Sequence, residues 1–237
     1  MKRRSGFGSP RVTIALFAAA GVLLAGSSIG GARAALTYFS ETYRSQVEMY
    51  DIGVTLNENG KGVSRRDYQS YSDGQWTEGT GALLEDRWSA ENQLQLGKAY
   101  EEAISVTNSG SIDQYVRVSL YKYWIKDGKK QQDLDPGLIE LHLANLDSGW
   151  IVDTSASTAE RTVLYYNKAL GVGGTSVPVT DTLTISTKVS ENPKAYDGAE
   201  FRIEAEVDAV QTHNAEDAIL SAWGSKVRVS GSSLRLD

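Results

Sequence analysis

Hydrophobic and polar residues alternate with a period of two through much of this chain. The pattern is sharpest over residues 102–125 (EAISVTNSGSIDQYVRVSLYKYWI). Ile104 and Val106 share one face of a first run, and Val116, Val118 and Leu120 share one face of a second. That is the spacing of half-buried strands, in which successive side chains point to opposite faces. Asn108, Ser109 and Gly110 between the runs are turn formers, so the segment predicts a hairpin. A helix fits worse, because Val and Tyr dominate the second run and the apolar positions are not three and four apart.

The same reading extends along the chain. Ile52, Val54 and Leu56 alternate before a turn at 57–60, and residues 138–143 (LIELHL), 162–166 (TVLYY) and 183–189 (LTISTKV) predict further strands. In 200–211 (EFRIEAEVDAVQ), Phe201, Ile203, Ala205, Val207 and Ala209 share one face, and Arg202, Glu204, Glu206 and Asp208 share the other. Asp127, Gly128 and Lys129 signal a tight turn. Residues 61–91 show little periodicity and predict a long surface loop excursion anchored by Trp76 and Trp88. Residues 214–223 (NAEDAILSAW) predict a short helix with Asn214 as N-cap. Roughly eight to ten short strands with no recurring helices predict an all-β fold, a jelly-roll-like two-sheet antiparallel β-sandwich.

The N-terminal segment predicts export of this chain. Lys2, Arg3 and Arg4 precede an apolar run at 12–25, and Ala32, Arg33 and Ala34 supply a small-residue cleavage site, so residues 1–34 are expected to be a signal peptide cut before Ala35. The apolar run falls short of the roughly 20 residues needed to span a bilayer, so no stable membrane span is expected after cleavage. Residues 35–237 are expected to form one domain. With no Cys in the chain, its extracellular stability must come from packing or assembly, not disulfides. The formal net charge is -6, and the part after Ala34 is more acidic still, because the first 34 residues carry basic side chains and no acidic ones. Such a surface is a poor partner for nucleic acid.

Catalytic chemistry is sparse. His142 and His213 are the only histidines, without an H-E-x-x-H helix or a local ligand cluster, so no metal or other cofactor is expected. Ser109, in the Asn108–Gly110 turn, reads as a turn residue and not as a serine nucleophile. Asp67, Asp73, Glu78, Glu85 and Asp86 read as solvated side chains, not as a glycosidase pair. Gly171, Gly173 and Gly174 lack the spacing and Lys of a phosphate loop. No catalytic residue is expected. The aromatics carry more information: Tyr115, Tyr121 and Tyr123 lie opposite the Val116, Val118 and Leu120 face. They are either an external row that contacts another subunit, polymer or glycan, or a satellite core beneath a loop and helix.

Two segments, ISVTNSGSIDQYVRVSLYKYW and FRIEAEVDAVQTHNAEDAILSAWG, together with the short signal ending near Ala34, resemble the secreted TasA and camelysin family of Gram-positive bacteria. The matching positions are Asn108, Gly110, Tyr115, Val116 and Arg117 in the strand-turn-strand, and Ala222 and Trp223 in the late helix. The resemblance implies export with a dedicated signal peptidase and a jelly-roll domain. It also implies a cell-surface or biofilm-matrix structural protein, in which the N-terminal strand of one subunit completes the sheet of the next. Residues 35–49 would be the donor, with Leu36, Tyr38, Phe39, Val47 and Met49 as contacts alongside Tyr115, Tyr121 and Tyr123. Partners would then be further copies or other matrix proteins. The alternative is an extracellular carbohydrate- or protein-binding module using exposed aromatics. A metallopeptidase, a label given to camelysin-like members, is the weakest reading, since two isolated histidines give it no chemical support.

Overall fold

Asn59 and Asp127 both adopt positive φ, each followed by a positive-φ glycine, Gly60 and Gly128. The two dipeptides make the tight turns that the sequence signals, because a two-residue hairpin needs left-handed backbone at both centres. The first joins β1 (Gly53–Glu58) to β2 (Lys61–Gln69), and the second joins β6 (Gln114–Lys126) to β7 (Lys129–Gln131). The computed structural model describes residues 52–69, 75–79, 81–85, 87–88, 93–146 and 148–237, with only the backbone of 66–69 and 75–79. These residues belong to one compact unit, Tyr50–Asp237. The sequence expectations for residues 1–34 and 35–49 lie outside the described residues.

The fold is an all-β sandwich of antiparallel sheets with few short helices. One layer runs β3 (Gln75–Gly79), β2, β1, β5 (Ile104–Asn108). It continues into the order β4 (Ala99–Glu101), β11 (Thr180–Ile185), β8 (Ile139–Leu143). The two parts are stitched by backbone bonds from Ser176 N to Val106 O, Val179 N to Ile104 O and Glu102 N to Asp181 O. The facing layer has the order β12 (Ala199–Gln211), β6, β10 (Arg161–Tyr166), β9 (Trp150–Asp153), with β7 beside β6. A hairpin of β13 (Val227–Ser230) and β14 (Ser233–Leu236) completes the strands. Among the described residues no helix is long and apolar enough to cross a membrane.

Between the layers, Val54, Leu56, Ile104 and Val106 meet Val116, Val118, Leu120, Trp150, Leu164 and Tyr166 in the main core. Ile139, Leu183 and Ile185 continue it against Trp124 and Ile203. The Val face of β6 is therefore core, as its alternation predicts. The outer face of the same sheet is also covered over part of its area. There Tyr115, Val163, Tyr165 and Val210 pack under Ile219 of a helix, α2 (Ala215–Trp223), and under Val227 and Leu234 of the β13–β14 hairpin. The shorter α1 (Pro193–Tyr196) precedes β12, and its Tyr196 ring stands edge-on to Trp124.

Three local expectations change. Residues 102–125 do not form a hairpin: β5 pairs with β1 in one layer, while β6 pairs with β12 and β10 in the other. The segment between them is a corner that carries the chain across the core. Buried Asn108 organises it, donating from Nδ2 to Ile112 O and Leu170 O and accepting at Oδ1 from Gly110 N and Gln114 Nε2. Residues 61–91 begin with β2 and β3, a pair held in register from Arg65–Gly79 to Gln69–Gln75, so the irregular excursion starts only after β3. Asn214 stands at the N-cap of α2, but in left-handed backbone with no capping bond from its side chain.

Candidate functional site

Strand β12 spans 13 residues, and among the described residues it pairs with β6 alone. Its register with β6 is unbroken from Ala199–Lys126 to Gln211–Gln114. Among the described residues its other long side is a sheet edge, a row of backbone donors and acceptors able to take a further strand. The inward row of β12 is incompletely covered: Ile203 is buried, whereas Phe201, Ala205, Val207 and Ala209 are half-buried. The reason is positional, since an edge strand has packing neighbours on one side only.

A groove of about 160 Å³ opens beside this edge, lined by Ile52 and Val54 of the first layer, Val207, Asp208 and Ala209 of β12, and Ala222 and Trp223 of α2. Its walls are fixed. The Gly53 carbonyl, between Ile52 and Val54, accepts from Ser109 N, Gly110 N and Gln114 Nε2 at 3.0, 3.1 and 3.1 Å. The corner thus pins the point where the chain enters β1. The α2 wall ends at Gly224, whose positive φ lets its N–H return to Leu220 O at 3.0 Å.

Polar side chains on the outer face fasten β12 to the sheet. Arg117 donates from Nε and Nη2 to Asp208 Oδ2 at 3.0 and 2.6 Å, and its guanidinium lies 5.2 Å from the Trp223 ring centre. Tyr121 donates to Glu206 at 3.0 Å and Tyr123 to Glu204 at 2.6 Å. Burial, then the Glu206 bond, raises the Tyr121 phenol above its ordinary range, and the Glu204 bond does the same for Tyr123. Because Arg117 joins β12 and α2 at once, Arg117→Ala and Asp208→Ala are expected to couple by about 1 kcal/mol in a double-mutant cycle read by urea denaturation.

The predicted site residues therefore separate. Tyr121 and Tyr123 are half-buried on the outer face of β6, next to the edge strand. Tyr115 is not on a contact face: it is 1% exposed and packed beneath α2 and the terminal hairpin. Leu36, Tyr38, Phe39, Val47 and Met49 lie outside the described residues. Trp88 packs edge-on against Tyr100 and Phe201, each at 5.5 Å, so its ring is turned toward protein. His142 is exposed on β8, with Nδ1 2.7 Å from Asp181 Oδ1, and His213 is exposed just before α2. Among the described residues no three His, Cys, Asp or Glu side chains group around a metal-sized site.

The sequence marks Ile52 as a strand position and Ala222 as a helix position, but nothing local brings them to one groove. Ala222 and Ile52 line the groove only through tertiary approach of α2 and β1. Lys122 occupies an inward position of β6 and reaches across to donate to Ile139 O at 2.8 Å; its burial lowers the ammonium below its ordinary range. Comparison with protein-family models, with curated proteins and with solved structures gave no match.

Proposed function

We propose that this chain is an exported structural protein of a cell surface or biofilm matrix. In this reading it assembles by strand addition to the open edge of β12, and the donor is residues 35–49 of another copy. The carrying observation is the 13-residue edge strand, with its half-covered apolar row and the groove beside it. Backbone pairing supplies affinity in such an interface, and pockets for alternate side chains supply selectivity. The sequence resemblance to secreted matrix proteins supports the same reading, as does the signal-like N-terminus.

Charge argues for a donor strand over self-pairing of the edge. Glu200, Glu204, Glu206 and Asp208 share the outer face of β12 with one cation, Arg202. Two copies of β12 meeting antiparallel would bring carboxylates opposite carboxylates, which costs free energy. A head-to-tail arrangement avoids that and propagates into a fibre. The carbohydrate-binding alternative has weaker support, because Trp88, Tyr121 and Tyr123 are already engaged within the fold.

Negative-stain microscopy of the protein beginning at Ala35 tests the proposal. Fibres are expected, and they should disappear both on deletion of 35–49 and in Ala222→Arg, which places a long charged side chain at the groove from an exposed helix position. Monomers in the undeleted sample, or fibres that persist in the deletion, would overturn it.

A further inference from the structure

Between β4 and β5 the first layer holds a carboxylic acid in its interior. Glu102 is 0% exposed. Its Oε2 accepts from Arg87 Nη1, while its Oε1 has no hydrogen-bond partner. A second carboxylate, Glu58 at the end of β1, lies with Oε1 3.9 Å from the same guanidinium nitrogen and accepts from Leu84 N at 2.9 Å. Arg87 also donates to Glu101 O. From β11, Thr180 donates its hydroxyl to Glu102 O at 2.5 Å, and the Asp181 side chain is engaged with exposed His142. Among the described residues, one half-buried guanidinium therefore faces two carboxyl groups, of which Glu102 is fully shielded from water and Glu58 only partly. Such a site carries one negative charge too many when both carboxyls ionise.

We propose that Glu58, Arg87 and Glu102 form a proton-operated switch, in which Glu102 holds a proton in the folded domain and its release weakens the attachment of β1 and of Arg87 to the β4–β5 junction. The chemistry agrees with the geometry: burial first, then the Glu58 charge, pushes the Glu102 carboxyl up from 4.5 to about 8, against the opposing pull of Arg87. The sign follows from linkage. Between these two values the folded state binds a proton that the unfolded state has lost, so stability falls as pH rises through that window and levels above it. This inference stands apart from the assembly proposal, since it concerns the stability of a single copy.

Urea denaturation of the protein at intervals from pH 5 to 9.5 tests it, with Glu102→Gln alongside. The wild-type folding equilibrium constant is expected to fall by up to about tenfold per pH unit toward pH 8, the limit for one proton. Glu102→Gln mimics the protonated acid and should remove that component. Glu58→Gln should move the wild-type window to lower pH. Parallel wild-type and Glu102→Gln profiles would overturn the proposal. If Glu102→Gln does not fold, carbon-13 NMR of Glu side-chain carboxyls in the wild type decides. One carboxyl with a midpoint near 8 supports the switch, and titration of every Glu below about pH 6 refutes it.

Discussion

Asn108→Ala is expected to destabilise the folded domain by about 3 kcal/mol, read as a lower urea midpoint at unchanged denaturant slope. The Asn108 side chain satisfies four groups at the β5–β6 corner. It donates to Ile112 O and Leu170 O at 2.8 Å each, and accepts from Gly110 N at 2.9 Å and from Gln114 Nε2. Ala removes these bonds and leaves Gln114, whose Oε1 already has no partner, with Gly53 O alone. Buried polar groups that lose their partners cost more than the average worth of a hydrogen bond. Asn108→Asp should be nearly as damaging, because a carboxylate cannot donate to the two carbonyls. A loss below about 1 kcal/mol in either variant would show that the corner does not hold the two layers together.

Trp150→Ala is expected to cost about 4 kcal/mol and to flatten the near-ultraviolet circular dichroism. Trp150 is 0% exposed, tilted against Tyr166 at 5.1 Å, and donates from Nε1 to Val177 O at 2.8 Å. It begins β9, so its ring closes the core at the edge opposite β12. Trp150→Phe separates packing from bonding. It keeps most of the apolar contact while orphaning the Val177 carbonyl, and should cost about 1–2 kcal/mol. Equal losses for the two variants would mean that the bond, not the ring volume, dominates.

Strand faces were legible in the sequence, and strand partners were not. Alternation alone assigns Val116, Val118 and Leu120 to the core, because one face of β6 is apolar and the fold obeys it. The Asn57–Gly60 and Asp127–Gly128 turns were equally readable, since left-handed backbone demands particular residues. The corner at Asn108 misleads because a hairpin turn and a crossing between layers use the same turn formers. Pairing decides between them, and β5 pairs with β1 and with residues 174–180, which are far along the chain. Strands β2 and β3 were hidden for another reason. Residues 61–79 carry no run of alternating apolar side chains, so their pairing shows in the backbone register and not in a hydrophobic period.

The candidate site was half legible for related reasons. The alternation of 200–211 shows a two-faced strand, but no local pattern says that it ends a sheet. Tyr115 shares its face with Tyr121 and Tyr123, yet α2 and the β13–β14 hairpin bury it and leave the other two half-covered. Where a helix lands on a sheet depends on chain path, which one-dimensional spacing does not carry. The Glu58–Arg87–Glu102 cluster joins three distant segments and was invisible until they met.

Hydrogen exchange along β12, compared between monomer and assembled material, tests the central claim most directly. In the monomer, the β12 amides that face away from β6 should exchange freely, while those bonded to β6 are protected. In assembled protein, both sets in Ala199–Gln211 should be protected to the level of β6, because an added strand takes up the remaining edge. If the outward amides of β12 exchange equally fast in monomer and assembly, the edge does not receive a strand, and the account of how this protein assembles is wrong.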